Sequence, residues 1–272
     1  MPTESQQGEL LACARELARI GGETARGMIG RVRVSRKDDN TPVTEADHAV
    51  QERLLEIIAR RYPEHAIIVE ETVAGPDRHR SIHDAEYCWV IDPIDGTRNF
   101  AAGLGAYATS VGLLHQGAPI VGAIHDATTG NTFSAEIGTG AFRNDDRIVM
   151  RKRPEPQDTM IFISSFRRKT VPAAVKLWME QCLFRNQGSL CIHFAWIAAG
   201  SADAAFAPEC KLWDLAAGSL LIQEAGGVIT HADGRPLWPF DLSNYSGEDI
   251  PVLAASAGLH AEMLDDLNKG RA

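Results

Sequence analysis

A short acidic string, Asp92-Pro93-Ile94-Asp95-Gly96-Thr97, constrains this chain more than any other feature of its sequence. It directly follows residues 88–91, an apolar run of strand length, so both carboxylates lie where a strand is expected to end. The proline and the glycine favour a turn, which lets two carboxylates three residues apart converge on one point. A second apolar run, residues 66–69, also leads into acids, Glu70 and Glu71. The pattern predicts a cluster of carboxylates at strand ends.

Such a cluster predicts a cation. Carboxylates at short range cannot all stay ionised unless a cation offsets their charge. Their oxygens suit Mg²⁺, whose coordination is completed by water and by substrate phosphate. Gly96 and Thr97 are small, so the backbone can approach an anion, and a helix beginning there would direct N–H groups at phosphate oxygens. The string therefore predicts a Mg²⁺ centre that recruits an anionic substrate.

Each acid also has a purely structural explanation. Asp92 and Asp95 could form an Asx-turn and a helix cap, Asp47 could be only the third residue of a capping box opened by Thr44, and Asp214 could be the N-cap of the helix that follows it. The string favours the metal site, because an exact six-residue match arises by chance at a frequency below about 10⁻⁵ in a chain of this length. Taken alone, Asp214 favours the cap.

Charge and composition exclude several classes of partner and site. The chain has 272 residues, with 36 acids against 27 bases and a net charge of −9, so it repels a phosphate backbone and no nucleic-acid polymer is expected as a partner. It has no apolar run of about 18 residues and no signal-like start, which predicts a cytoplasmic protein without a membrane partner. The five cysteines form no Cys-x-x-Cys pair, which argues against a disulfide framework and a thiolate zinc site.

The apolar pattern predicts helices packed on a sheet in the first half. A first helix carries Leu10 and Leu17 on one face and is expected to be interrupted at Gly21-Gly22, with a second helical stretch to about Ile29. Residues 44–62 form the clearest helix, and residues 107–142 read as an antiparallel meander. We predict a boundary near residue 150. The N-terminal α+β half, 1–150, carries most metal ligands, and the C-terminal α/β half, 151–272, carries Asp214 and the substrate-lining segments. The two halves are expected to pack as one catalytic unit.

Four segments in order resemble the inositol monophosphatase superfamily of metal-dependent sugar and cyclitol phosphatases. They are residues 42–47, 69–71, 89–100 and 213–218, the last running on to 224–227, and the similarity spans roughly residues 8 to 268. The resemblance implies a fold of mixed α+β and α/β class, a layered α-β-α-β-α sandwich, with the site between the two halves. It also implies a Mg²⁺-dependent, lithium-sensitive hydrolase that forms a homodimer.

Roles carried over from the resemblance fall on matching positions. Glu70, Asp92 and the carbonyl of Ile94 would bind a first Mg²⁺, and Asp92, Asp95 and Asp214 a second, which Li⁺ would occupy when it inhibits. A third, weaker ion would lie near Glu70, giving two to three ions per site. Thr97 with Asp47 would position and deprotonate the attacking water, and Glu70 is expected to be catalytic as well as a metal ligand. The N–H groups of Gly96 and Thr97 would hold the phosphate. In-line attack by metal-activated water follows, without a covalent phosphoenzyme.

Departures from the family pattern leave the substrate open. Ala207 stands where inositol phosphatases place a Glu that contacts cyclitol hydroxyls, although Glu209 could compensate if the loop bends differently. Gly188 and Ser189 match the substrate-lining segment, followed by a bulkier residue, Leu190, than usual. We expect a phosphomonoesterase for a small polyol or sugar phosphate resembling inositol 1-phosphate. Histidinol phosphate, fructose 1,6-bisphosphate and a 3′-phosphonucleotide are alternative substrates, and a non-catalytic polyol-phosphate sensor is the alternative outside enzymes.

Two other motifs, one for an aspartyl-nucleophile phosphatase and one for a histidine metal site, match the sequence less well than the acidic string. A phosphatase with an aspartyl nucleophile uses Asp-x-Asp-x-Thr, whereas the second acid here is three residues after the first. His79 and His83 have the spacing of metal ligands on one helix face, but the polar residues around them favour a loop.

Overall fold

The computed structural model describes residues 2–36, 42–71, 85–152, 155–166 and 169–269. Seven α-helices are found in these ranges: α1 Glu4–Met28, α2 Glu45–Arg61, α3 Thr97–Ala101, α4 Ala173–Gln181, α5 Leu190–Ala198, α6 Leu212–Glu224 and α7 Ala257–Lys269. Among the described helices, none combines the length and the apolar character needed to cross a membrane.

The strands form one large sheet, one smaller sheet and a two-stranded ribbon. In chain order they are β1 Val34–Arg36, β2 Pro42–Thr44, β3 Ala66–Val69, β4 Tyr87–Asp95, β5 Ala108–His115, β6 Ala118–Asp126, β7 Asn131–Glu136, β8 Gly140–Arg143, β9 Asp146–Ile148, β10 Met160–Ile163, β11 Leu183–Arg185, β12 Ala204–Ala207, β13 Gly227–His231 and β14 Val252–Ser256. The large sheet has the order β3-β4-β5-β6-β7-β8-β9, and the smaller one β11-β10-β12-β14-β13.

The side chains of β4 alternate between two hydrophobic cores, which explains how the layers stack. Trp89 and Ile91 pack against α1 and α2, whereas Val90 faces the core shared with α5 and α6. That core also includes side chains of the smaller sheet, whose other face is covered by α4 and α7. Both faces of each sheet are therefore buried. The expected α-β-α-β-α sandwich is confirmed, with α5 and α6 as its central layer.

The expected interruption of the first helix is wrong, because α1 continues through Gly21 and Gly22 to Met28. Both glycines are buried against the large sheet. A Cβ at Gly21 would lie 2.5 Å from a methyl carbon of Thr109, and one at Gly22 would lie 2.3 Å from the ring of His125. The glycines permit close packing of the helix on the sheet and do not end the helix.

Most other elements agree with the sequence pattern. Helix α2 begins after Thr44 and ends before Tyr62, and β5 to β8 form the antiparallel meander. All strands of the large sheet precede residue 150, and those of the smaller sheet follow residue 159. Helix α6 crosses this division, since it packs on β5 and β6 of the large sheet. The two halves as domains stay a prediction.

Candidate active site

Strand β4 carries its two carboxylates inside the strand and not after it. The pairing with β5 shifts between Asp92, opposite Ser110, and Asp95, opposite Ala108, so β4 contains one extra residue there. Pro93 has no N–H for the ladder, which suits it to such an irregularity. Residues three apart on a regular strand face opposite sides of the sheet, and the extra residue turns both carboxylates to one side.

Asp214 reaches the same place from the central helical layer. Helix α6 begins at Leu212 with Lys211 as its N-cap, so Asp214 is the third residue of the helix and not the N-cap that its sequence position alone favoured. Its Oδ2 accepts a hydrogen bond from the backbone N–H of Lys211 at 2.7 Å. This contact fixes the carboxylate at the helix start, where the helix dipole favours negative charge.

Three carboxylates converge at this point. One ligand atom from each of Asp92, Asp95, Asp214 and Cys191 lies within 4.8 Å of the others. Asp92 is only 2% exposed, and its Oδ1 has no hydrogen-bond partner among the described residues. Burial raises the pKa of all three carboxyl groups, and the charges of neighbouring acids raise those of Asp92 and Asp214 further. A buried oxygen without a partner among mutually repelling carboxylates fits a hard divalent cation.

Glu70 and Ile94 border this cluster. Strand β3 pairs in parallel with β4, with Val69 opposite Ile91, so Glu70 leaves the sheet beside the acidic string. The Glu70 N–H donates to the Ile91 carbonyl at 3.3 Å. The Ile94 carbonyl accepts from the Thr97 hydroxyl at 2.9 Å, and Ile94 lines the cavity next to the carboxylates. Both residues therefore lie where a cation at the cluster would find further oxygen ligands.

Thr97 and Asp47 form a second polar contact at the site. The Thr97 hydroxyl lies 3.2 Å from Asp47 Oδ1, while Asp47 Oδ2 accepts from the backbone N–H and the hydroxyl of Thr44 at 2.8 and 2.6 Å. Asp47 is thus both the third residue of a capping box and a neighbour of Thr97, so the capping role does not conflict with the predicted catalytic one. Burial, with a smaller contribution from the charge of Glu70, raises the pKa of Asp47.

The cleft beside the cluster has a volume of about 280 Å³, and an adjoining cavity one of about 370 Å³. The two share lining residues from both halves of the chain: Glu70, Asp95, Gly96, Thr97, Glu209 and Asp214. Gly96 turns the chain with a φ of 89°, where a Cβ would lie 2.8 Å from the Ala106 carbonyl oxygen. The site lies where the two halves meet.

The expected substrate-lining residues also reach the cleft. Gly188 and Ser189 line it, and the Ser189 hydroxyl donates to Asp95 Oδ2 at 2.5 Å. Ala207 is fully buried, whereas Glu209 lines the cleft with 12% of its side chain exposed and lies 3.8 Å from Lys169 Nζ. Glu209 is therefore the carboxylate that the loop after β12 presents to the site.

Sequence reasoning missed Cys191 as a neighbour of the carboxylates. It lies 96 residues after Asp95, to whose Oδ2 its backbone N–H donates at 2.6 Å, and no local motif marks it. His79 and His83 lie outside the described residues.

Comparison with known proteins decides the family. The family model described as the inositol monophosphatase family matches residues 6–269. The chain belongs to this family. The Nus factor SuhB of Escherichia coli strain K12 is 32% identical over 247 residues, covering 88% of this chain and 90% of that protein. The chloroplastic phosphatase IMPL1 of Arabidopsis thaliana is 30% identical over 270 residues, covering 94% and 69%. The resemblance in the sequence is confirmed.

Solved structures of the family have the same fold. An inositol monophosphatase from Anabaena has a TM-score of 0.80 at 28% identity, covering 98% of this chain and 97% of its own. The IMPase of Thermotoga maritima has a TM-score of 0.82 at 25% identity, covering 97% and 98%. The family is generally Mg²⁺-dependent. Membership in it supports phosphatase chemistry and metal binding for this chain at the level of the family. The similar sequences include a Nus factor as well as a phosphatase, so the family does not fix a substrate.

Proposed function

We propose that this protein is a Mg²⁺-dependent phosphomonoesterase that hydrolyses a small polyol or sugar phosphate. This proposal rests on one observation of the site. Three carboxylates converge there, those of Asp92, Asp95 and Asp214, next to the contact between Thr97 and Asp47. The three carboxylates, with Glu70 and the Ile94 carbonyl, would hold two to three Mg²⁺ ions. Bound Mg²⁺ would supply a water of lowered pKa and would offset the charge on the phosphate and the leaving oxygen.

Thr97 and Asp47 would position the attacking water and take up its proton. The Thr97 hydroxyl has one proton and two acceptors within reach, the Ile94 carbonyl at 2.9 Å and Asp47 Oδ1 at 3.2 Å. When the Ile94 carbonyl serves as a cation ligand, the hydroxyl donates to Asp47, and its oxygen can accept from a water. A raised pKa makes Asp47 a stronger base than an exposed aspartate.

Glu209 and the 188–189 segment would contact the alcohol part of the substrate. The cleft of about 280 Å³ has room for a compact monophosphate such as inositol 1-phosphate, and the adjoining cavity of about 370 Å³ borders the carboxylates that would hold the cations. Because Ala207 has no polar side chain, hydroxyl recognition would fall to Glu209. The N–H groups of Gly96 and Thr97 would hold the phosphate, as in the family that the chain resembles.

A homodimer is part of the same proposal. Leu183 and Phe184 lie on β11, an edge strand of the smaller sheet, and are 45% and 41% exposed. An exposed apolar edge strand can pair with a second copy of the chain. Light scattering of the wild type and of Phe184→Lys tests this: we expect a dimer and a shift to monomer, and a monomeric wild type contradicts the proposal.

Phosphate release decides the function. Inositol 1-phosphate, histidinol phosphate, fructose 1,6-bisphosphate and a 3′-phosphonucleotide are each assayed with Mg²⁺, with chelator and with Asp95→Asn. We expect release from one of them that requires Mg²⁺, disappears in the variant and is inhibited by Li⁺ acting at the second metal position. Failure on all four, with Mg²⁺ binding intact by calorimetry, would favour the sensor.

A further inference from the structure

The thiol of Cys191 belongs to the acidic cluster by geometry. Cys191 is the second residue of α5, and its side chain is fully buried. Its backbone N–H binds Asp95 Oδ2 at 2.6 Å, and its sulfur lies 3.7 Å from the main-chain oxygen of Asp214. These two contacts, to residues of β4 and α6, fix the thiol between the strand and the helix that supply the carboxylates.

A second observation indicates a cation at this point and not only a buried sulfur. Asp92 Oδ1 is buried without a hydrogen-bond partner among the residues described, and the carboxylate that carries it supplies one oxygen to the group of atoms within 4.8 Å. An unpartnered buried carboxylate oxygen costs free energy that a bound cation would offset.

The set of three oxygens and one sulfur suits a softer ion than Mg²⁺. Zn²⁺ binds thiolate sulfur at about 2.3 Å and carboxylate oxygen at about 2.0–2.2 Å, so four tetrahedral ligands lie roughly 3.3–3.7 Å apart. The four atoms lie within 4.8 Å of one another, so the widest pair needs to approach by roughly 1.1–1.5 Å to reach these separations. Mg²⁺ prefers oxygen ligands and gains nothing from sulfur, whereas thiolate selects thiophilic ions.

We propose that Asp92, Asp95, Asp214 and Cys191 form a four-ligand site for a thiophilic divalent cation, Zn²⁺ or Cd²⁺, that overlaps the position the carboxylates offer to Mg²⁺. On binding, the Cys191 S–H bond breaks, a sulfur–metal bond forms and the proton leaves to solvent, with no change of oxidation state. Such an ion would displace Mg²⁺, and this chain would be sensitive to Zn²⁺ through a side chain that Mg²⁺ does not use.

Cd²⁺ is the probe, because a cadmium–thiolate bond has an ultraviolet charge-transfer band that needs no catalysis to observe. We expect one equivalent of Cd²⁺ to produce the band in the wild type, excess Mg²⁺ to remove it, and both Cys191→Ala and the nearly isosteric Cys191→Ser to abolish it. Cd²⁺ affinity in these variants should fall at least tenfold, while Mg²⁺ affinity changes less than about threefold.

Cys210→Ala is the matched control. Cys210 is also fully buried and lies four residues before Asp214, but its sulfur is not in the four-atom group. The band should survive in this variant. A band that persists in both Cys191 variants, Cd²⁺ binding without a band, or a band that excess Mg²⁺ leaves intact would overturn the proposal. The charge-transfer band does not depend on turnover, so absence of phosphatase activity on every substrate would not change it. The proposed function and the proposed Cys191 site can therefore be refuted independently.

Discussion

Two facing glycines determine how close the Asp214 helix comes to the sheet. Gly112 on β5 and Gly122 on β6 are direct cross-strand partners, and both face α6. A Cβ at Gly122 would lie 2.7 Å from Ala217 Cα and 3.0 Å from Ala217 Cβ. Carbon atoms in contact prefer about 3.5–4.0 Å. In Gly122→Ala, therefore, α6 must move away by roughly 1 Å, or the sheet must distort.

The size of the effect follows from that distance. Overpacking of this kind costs about 1–3 kcal/mol, and in a chain of this length each kcal/mol lowers Tm by roughly 2–4 °C. Ala217 lies less than one turn after Asp214, so the displacement moves the carboxylate with it. Metal ligands tolerate about 0.2 Å, and a misplacement of 1 Å can cost about a hundredfold in rate. We expect Mg²⁺ affinity and kcat/KM to fall by about ten- to a hundredfold.

Calorimetric Mg²⁺ titration and thermal unfolding check this prediction, with Gly8→Ala as the control. Gly8 is exposed on α1, and a Cβ added there would have no neighbouring atom within 4 Å, so alanine should stabilise the helix by about 0.5–1 kcal/mol. Strand propensity alone predicts that Gly122→Ala raises stability, whereas the steric clash with Ala217 predicts that it lowers stability. A Gly122→Ala protein with wild-type Tm and Mg²⁺ affinity would refute it.

Three further predictions test the site and its surroundings. Thr97→Ala should lower kcat about 10²- to 10⁴-fold while Thr97→Ser retains most activity, and equal loss in both would remove the hydroxyl from the proposed mechanism. The raised carboxyl pKa values mean that the metal-free fold loses stability as pH rises above about 3.8, the ordinary value, until the folded-state pKa values are passed. The proposed Mg²⁺ site requires the ionised cluster, so the stabilising shift in Tm on adding Mg²⁺ should be larger at pH 8 than at pH 6, and a shift independent of pH contradicts this. Arg151→Ala should lower the free energy of unfolding in urea by about 1–3 kcal/mol, because it removes two hydrogen bonds, at 2.9 and 2.7 Å, from the buried carboxylate of Asp203, and an unchanged midpoint would contradict this.

The acids of the site could be found from sequence because their signals are local. The string at residues 92–97 and the capping pattern of Thr44 and Asp47 each lie within a few residues, and turn and cap chemistry read directly from such spacing. The convergence of Asp214 with them depends on where α6 packs, and only the resemblance to the family indicated it. Cys191 could not be found this way, since its relation to Asp95 exists only across the interface between α5 and β4.

Glycine was the residue that local rules misread, and the error has one physical cause. Gly21-Gly22 has the composition of a helix end, yet both residues serve a helix that packs on Thr109 and His125. The same close approach occurs on the other face of the sheet, at Gly112 and Gly122. At these positions φ is not positive, but an added Cβ would lie within about 3 Å of a neighbouring element. Glycine is therefore required there by tertiary packing, which local sequence rules do not describe.

The packing that escapes local rules is also what creates the site. In a metal-free protein the buried carboxylates of Asp92, Asp95 and Asp214 oppose one another, so their convergence costs stability at neutral pH. The close glycine contacts hold α6 against the sheet despite this repulsion, and the large apolar core of the central layer supplies the stability that the cluster removes. The proposed cation would then bind to a preformed set of ligands. If the core were weaker, repulsion would separate β4 from α6 and the ligands would have to assemble on binding, which would lower metal affinity by the free energy of that assembly.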